Sequence, residues 1–286
     1  MTMPQAPIII TGAHRSGTSL VSRMLQTHGV DFGRDQEKNN ESRFFLNINR
    51  WLLEQNGCRW DTLGAMDTLL NDQHLRELFA ESIRTLLASH RRFGYFGTTT
   101  LLSRPSFFSI DTPWGWKDPR NTVTLPLWLS IFPDAKVLNI TRHGVDVAQS
   151  LYVRNQRIID RHLPLRNRDI IWISRRRQRV AKARSGLSAK CTSVDRAFDL
   201  WHEYMRASEH SLQQANNTLT VRYEDLLLAP RDQYEQIVEF CEVENHAVIS
   251  TKPERLDATR AYAHEHKEDL LALAQSKRDI LARYGY

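Results

Sequence analysis

Two hydrophobic patterns divide the chain. Short unbroken apolar runs predict strands buried on both faces, first at Ile8–Ile10 and again within Lys136–Thr141, with a third strand at Leu219–Arg222. Between them, apolar positions recur three and four residues apart and predict amphipathic helices. Ser16 to His28 turns Leu20, Met24 and Leu25 inward. Phe44, Phe45, Ile48, Trp51 and Leu52 mark a second helix that ends near Gly57, and Leu75–Leu87 a third. Val123–Ile131 is stopped by Pro133-Asp134, and Val145–Val153, Phe198–Gln214 and Tyr234–Cys241 follow. The charged stretch Glu265–Ala282 closes the chain as one helix. Gly33–Asn40 is turn-rich, and the Thr-, Ser- and aromatic-rich stretch Arg92–Pro113 reads as irregular. Strand-then-helix units recur without an internal repeat or linker, which predicts an α/β fold: a parallel sheet flanked by helices on both faces, in a single domain over 1–286. Ligands of such sheets bind beyond the carboxyl ends of the strands.

Composition narrows this only slightly. Hydrophobic residues make up 41% and charged residues 25%, an ordinary globular balance. Three separated cysteines, Cys58, Cys191 and Cys241, give no disulfide framework and no zinc spacing. Without a secretory or membrane-spanning pattern, the expected location is cytoplasmic. The net charge of +6 is uneven: from Arg154 to Lys190 there are twelve Lys or Arg against Asp160 and Asp169. That run is either a solvated face or an electropositive wall for an anionic partner. It has few aromatics for base stacking, Trp172 being the main one, so a nucleic-acid partner is not expected.

The chemistry begins where the first strand ends. Gly12-Ala13-His14-Arg15-Ser16-Gly17-Thr18-Ser19 keeps the glycine spacing and hydroxyls of a P-loop, which reads G-x-x-x-x-G-K-[ST]. Thr18 stands in the place of the lysine, and the only cation in the loop is Arg15. A strand, a tight turn and a helix N-terminus aim backbone N–H groups at one spot, which suits a nucleotide phosphate. At the end of the second strand, where a magnesium-dependent NTPase commonly has an acid, the chain has Arg142. Ser150 follows eight residues on, about two helical turns, and an arginine with a hydroxyl suits a second phosphate.

Two phosphate sites without a magnesium site describe 3′-phosphoadenosine-5′-phosphosulfate, PAPS. With these residues the chain resembles the PAPS-dependent sulfotransferases, nearer the bacterial and tyrosylprotein-like branches. His14 to Ser19 resembles the 5′-phosphosulfate loop, and Arg142 to Ser150 the 3′-phosphate motif. Phe132-Pro133-Asp134-Ala135-Lys136 and Arg222-Tyr223-Glu224-Asp225-Leu226-Leu227 also match, and the tyrosine of the latter lies against adenine in relatives. The resemblance therefore implies donor binding by Arg15, Ser16, Gly17, Thr18, Ser19, Arg142, Ser150 and Tyr223. It divides the chain into a phosphosulfate loop and helix (7–30), a 3′-phosphate strand and helix (136–154), and helical acceptor-side or covering segments (155–217 and 243–286).

Trp114-Gly115-Trp116-Lys117-Asp118-Pro119-Arg120 resembles the Lys-Asp-Pro block of the tyrosylprotein branch, whose lysine helps stabilise the transferring sulfuryl group. Pro119 keeps Asp118 extended, so Lys117 is expected on a fixed loop. The resemblance puts the general base after the first helix. Glu37 is nearest to the position used by some bacterial relatives, while Asp35 and Glu41 are alternatives in the same loop. His14 and His143 flank phosphate-binding residues and are expected to pack or touch the donor. The implied activity moves a sulfuryl group from PAPS to a hydroxyl, or as second choice an amine, of a carbohydrate, glycolipid, metabolite or peptide. An anionic small molecule or glycan is among the expected partners, and no metal is required. A P-loop kinase-like phosphotransferase and a non-enzymatic polyanion binder are the rival readings.

Overall fold

Ile8, Ile9 and Ile10 are all buried, yet they serve two different cores because successive side chains in a strand point to opposite faces. The computed structural model describes residues 3–97, 106–162, 186–243 and 256–286. The helix expected from the first amphipathic pattern is α1 (Thr18–Thr27), after strand β1 (Ile8–Thr11); α2 (Arg43–Gln55), α3 (Met66–Asn71), α4 (Gln73–Ala88) and the single turn α5 (Phe93–Phe96) follow. Then come β2 (Gly115–Lys117), α6 (Asn121–Ile131), β3 (Lys136–Thr141), α7 (Gly144–His162) and α8 (Val194–Leu212). The chain continues with β4 (Asn217–Arg222), α9 (Tyr223–Leu228), α10 (Pro230–Cys241), α11 (Glu268–Ser276) and α12 (Arg278–Arg283).

The chain divides into two compact units, Met1–Arg142 with Tyr204–Ala261, and His143–Glu203 with Tyr262–Tyr286. The first unit holds the whole sheet, four parallel strands in the order β2-β1-β3-β4. Ile9, Trp116 and Val137 face one core with Phe45 and Leu52 of α2, Ile83 and Leu87 of α4, and Leu125 and Trp128 of α6. Ile8, Ile10, Leu138 and Ile140 face the other, against Val21 and Leu25 of α1, Leu226 of α9 and Ile237 of α10. Helices thus cover both faces of a parallel sheet, as the continuous apolar strands require. In the second unit, Gly144 packs so closely that an added Cβ would lie 2.7 Å from the rings of Phe198 and Trp201.

Two expectations need correction. Lys117 is not on a loop but is the last residue of β2, whose three residues are too few to show a period. Gly115 permits that pairing, because a Cβ there would lie 2.0 Å from the Ile8 carbonyl oxygen. The closing helix is also not continuous: a 3-10 turn at Ala263–His266 precedes α11, and α11 stops before α12 at Lys277. The Lys277 ammonium is held by Asp195 at 2.8 Å, which anchors the break to the second unit. Much of the basic run, residues 163–185, lies outside the described residues; of its remainder, Lys190 pairs with Glu203 at 2.5 Å.

Candidate active site

The loop after β1 is shaped by two glycines and one strained arginine. At Gly12 (φ 138°) a Cβ would lie 2.2 Å from the Ile140 carbonyl oxygen, so the loop lies hard against β3. At Gly17 (φ 99°) a Cβ would lie 2.3 Å from the Tyr223 ring. Arg15 between them has φ 74°, a left-handed conformation that costs a residue with a Cβ roughly 1–3 kcal/mol. Its side chain is exposed. Ser16 closes the turn by donating its hydroxyl to the Ala13 carbonyl at 2.7 Å. Gly17 is the N-cap of α1, and no side chain caps the helix, so its first N–H groups keep their positive end open to an anion. Thr18 is buried in the first turn.

The start of α6 clamps this loop from below. Thr122 Oγ1 accepts from the Gly12 N–H at 3.1 Å and shares a hydrogen bond with Thr11 at 2.8 Å. Asn121 donates to the Ile10 carbonyl at 2.9 Å. Asn49 of α2 fixes the same corner: it donates to Asp118 and Asn121 and accepts from Thr124 and Trp128, all within 2.8–2.9 Å. Asn49, Asp118 and Asn121 are fully buried, and such satisfied networks are rigid.

Lys117, projecting from the end of β2, is 1% exposed. Its ammonium uses all three of its donors within its own chain: to Glu41 Oε1 at 2.5 Å, the Asn39 carbonyl at 2.5 Å, and Ser19 Oγ at 3.2 Å. Ser19 in turn donates to Asn39 at 2.8 Å. One ammonium thus joins the phosphate loop to the acidic turn. Burial holds Lys117 below the usual lysine range, opposed by the charge and hydrogen bond of Glu41.

The acidic turn separates its three carboxylates. A β-bridge between Gln36 and Ser42, with Asn40 in the left-handed region (φ 66°), folds the turn back on itself. Glu41 goes inward, with an 11% exposed side chain. Asp35 and Glu37 go outward to Arg43, at 2.9 and 3.4 Å. The structure therefore brings Glu41, not Glu37 or Asp35, to Lys117.

Arg142, at the end of β3, donates to the Arg15 carbonyl at 3.4 Å and the Arg260 carbonyl at 3.2 Å, with its guanidinium 4.5 Å from the Tyr223 ring centre. Tyr223 is thus stacked between Arg142 and Gly17. Ser150 lies half-buried on α7, in the second unit. His14 packs edge-on to Trp60 and Tyr204, with centroids 5.0 and 5.6 Å away.

Sequence reasoning missed three side chains here. Arg23 reaches Asn40 at 3.2 Å, and its charge helps to lower the Lys117 pKa. It lies four residues after Ser19, on the same helix face, which was the available signal. Arg120 is bound to Asp118 at 2.9 Å; burial opposes its charge, but Asp118 holds its pKa above the usual value. Asn49 was detectable as a polar residue on the apolar face of α2. Sequence spacing also shows no metal-ligand cluster, yet folding gathers His143, Asp146 and His264 in the second unit, their ligand atoms within 4.8 Å of one another. The two imidazoles stack at 3.9 Å and 9°. Their lone pairs therefore lie in parallel planes and do not converge on one ion, and Asp146 instead accepts the His264 backbone N–H at 2.8 Å.

A sequence model of the sulfotransferase family matches residues 7–247. No curated protein matches the chain. Among solved structures, the sulfotransferase domain from the curacin biosynthetic pathway is similar at 15% identity and TM-score 0.50, covering 96% of this chain and 98% of that one. The sulfotransferase domain of the Synechococcus PCC 7002 olefin synthase is similar at 15% identity and TM-score 0.49, covering 100% and 96%. At such identity the likeness concerns the fold, while the family match takes in β1, the phosphate loop, the Lys117 corner and the Arg142 motif. The chain belongs to the sulfotransferase family.

Proposed function

We propose that the protein transfers a sulfuryl group from PAPS to an acceptor hydroxyl by in-line displacement. The observation that carries this reading is the Lys117 corner, where one buried ammonium touches both the phosphate-loop hydroxyl of Ser19 and the carboxylate of Glu41. In the reaction the acceptor oxygen forms a bond to sulfur, the sulfur–oxygen bond to the 5′-phosphate breaks, and its electron pair leaves on the phosphate. As in phosphoryl transfer, positioning and electrostatic stabilisation do most of the work.

Arg15, exposed at the loop tip, offers a fork of donors to the phosphosulfate, with the N–H groups of Gly17, Thr18 and Ser19 and the Ser16 turn behind it. Arg142, seated on Tyr223, is proposed for the 3′-phosphate. Ser150 is proposed there by the spacing of its motif, and Tyr223 as the adenine contact. Lys117 exchanges part of its bonding to Asn39 and Glu41 for the sulfuryl oxygens. Glu41, released from the ammonium, then takes the acceptor proton; Asp35 and Glu37, held by Arg43, are the alternatives this geometry disfavours. The positive charge needed comes from Arg15, Lys117 and Arg142.

The test is transfer of labelled sulfate from PAPS onto fractionated acceptors. Labelled product that Arg15→Ala and Lys117→Ala fail to form supports the reading. Binding of ATP with magnesium, and no binding of adenosine 3′,5′-bisphosphate, overturns it in favour of phosphoryl transfer.

A further inference from the structure

Helix α2 has apolar residues on two faces, and only one is spent on the sheet. Phe45 and Leu52 enter the core, while Phe44, Ile48 and Trp51, spaced four and three apart, form the floor of a groove of about 490 Å³. The opposite wall is α4, with Ile83 and Leu86. Trp51 is 36% exposed although it packs on Phe79 at 5.3 Å, so apolar surface stays open to water along the groove, the condition under which an apolar ligand gains most.

The groove is polar at one end. Asp35 and Arg43 form its mouth, paired at 2.9 Å. Arg43 is only two residues after Glu41, hence within about 7.6 Å of it along the chain. From Arg43 to Trp51 the floor extends about 12 Å at the helical rise. An apolar trough of this length, opening beside the acid of the reaction centre, fits a molecule with a long body and a polar end.

We propose that this groove holds the body of the acceptor, and that the acceptor is an amphipathic alcohol: an alkyl or aromatic body along Phe44, Ile48 and Trp51, with its hydroxyl-bearing end at Asp35 and Arg43. This rests on the sulfuryl-transfer reading, and it selects among the acceptors that reading allows. A free sugar leaves the trough wet; a hydroxyl compound with an apolar tail fills it.

The experiment uses alkyl β-glucosides of increasing chain length, below their micelle concentrations, titrated calorimetrically against the full chain without donor. The expected result is saturable binding that tightens about fourfold per methylene. It weakens at least tenfold in Trp51→Ala and in Ser82→Trp, the latter an exposed wall position where a large ring blocks the trough without touching the core. With PAPS present, octyl glucoside is expected to show a far lower KM than glucose, and the two variants raise KM with kcat kept. Absent or chain-length-independent binding, or binding indifferent to both variants, overturns the inference. So does a dimer in sedimentation that Trp51→Ala dissociates, since the trough then belongs to a second copy. If glucosides bind as expected but no sulfate moves, the groove stands and the transfer reading falls. If sulfate moves equally well to glucose, the reverse holds.

Discussion

Two cations serve the proposed reaction, and the fold treats them in opposite ways. Arg15 is exposed at the tip of the phosphate loop, on a backbone held in the left-handed region. Lys117 is 1% exposed, and its donors are all engaged by Glu41, Asn39 and Ser19. The first is poised for a ligand; the second is stored in a contact that a ligand must replace. An open arginine supplies donor affinity directly. A stored lysine ties catalysis to donor arrival, because Glu41 becomes a free base only when Lys117 turns to the sulfuryl group. The contrast predicts different costs when each cation is removed.

Lys117→Ala is expected to give the largest effect, because it removes both the cation and Glu41's partner. Loss of one directed transition-state donor typically costs about 10²–10³ in kcat, and a buried carboxylate left unpaired costs about 3–5 kcal/mol of stability. Steady-state transfer and denaturant unfolding measure the two parts. A variant with normal unfolding and normal kcat would break the comparison, since the buried pair would then serve neither role.

Glu41→Gln comes next. It keeps the shape of the corner but removes the base, so kcat should fall about 10²-fold or more. Glu37→Gln, which loosens only an exposed contact to Arg43, should stay within about twofold. Equal losses, or a larger loss at Glu37, would move the base back to the outer side of the turn.

Arg15→Gly separates affinity from strain. Donor-dependent kcat/KM is expected to drop about 10²-fold, while the fold gains about 1 kcal/mol because glycine adopts the φ of 74° without penalty. The opposite signs of activity and stability are the mark of a strained functional residue, and urea unfolding alongside transfer assays reads both.

The sequence carried the strands and the phosphate loop because their signals are local. Ile8–Ile10 and the glycine spacing of the loop need no partner to be read, and β3 spans Lys136–Thr141 as its apolar run predicts. β2 was hidden because three residues show no period, and its pairing depends on Ile8 approaching a glycine 107 positions away. The acid was hidden for a related reason. Asp35, Glu37 and Glu41 have equivalent local sequence, and only the Gln36–Ser42 bridge, with Asn40 at positive φ, decides which carboxylate faces Lys117. Asn49 left a readable trace, a polar residue in an apolar stripe, but its partners lie 69 to 79 positions away.

The smallest effect is the most specific to the stored lysine. Burial lowers the Lys117 pKa from the usual lysine value of 10.5, against the pull of Glu41. In the folded protein the ammonium therefore loses its proton at a lower pH than in the unfolded chain. Between the two pKa values the unfolded state binds more protons, so this group's contribution to stability rises with pH across that window. Activity should move the other way, falling as Lys117 loses the charge that holds the sulfuryl oxygens. Arg15 and Arg142 keep their charges throughout, so a falling alkaline limb of kcat below pH 10.5 reports Lys117. In Lys117→Met the residual activity should lack that limb, and unfolding free energy should lack the rising contribution seen in the wild-type difference curve. If both proteins gave the same alkaline profile, the stored lysine would not be the group that titrates. The cation beside Glu41 would then be structural, leaving the open arginine as the catalytic one.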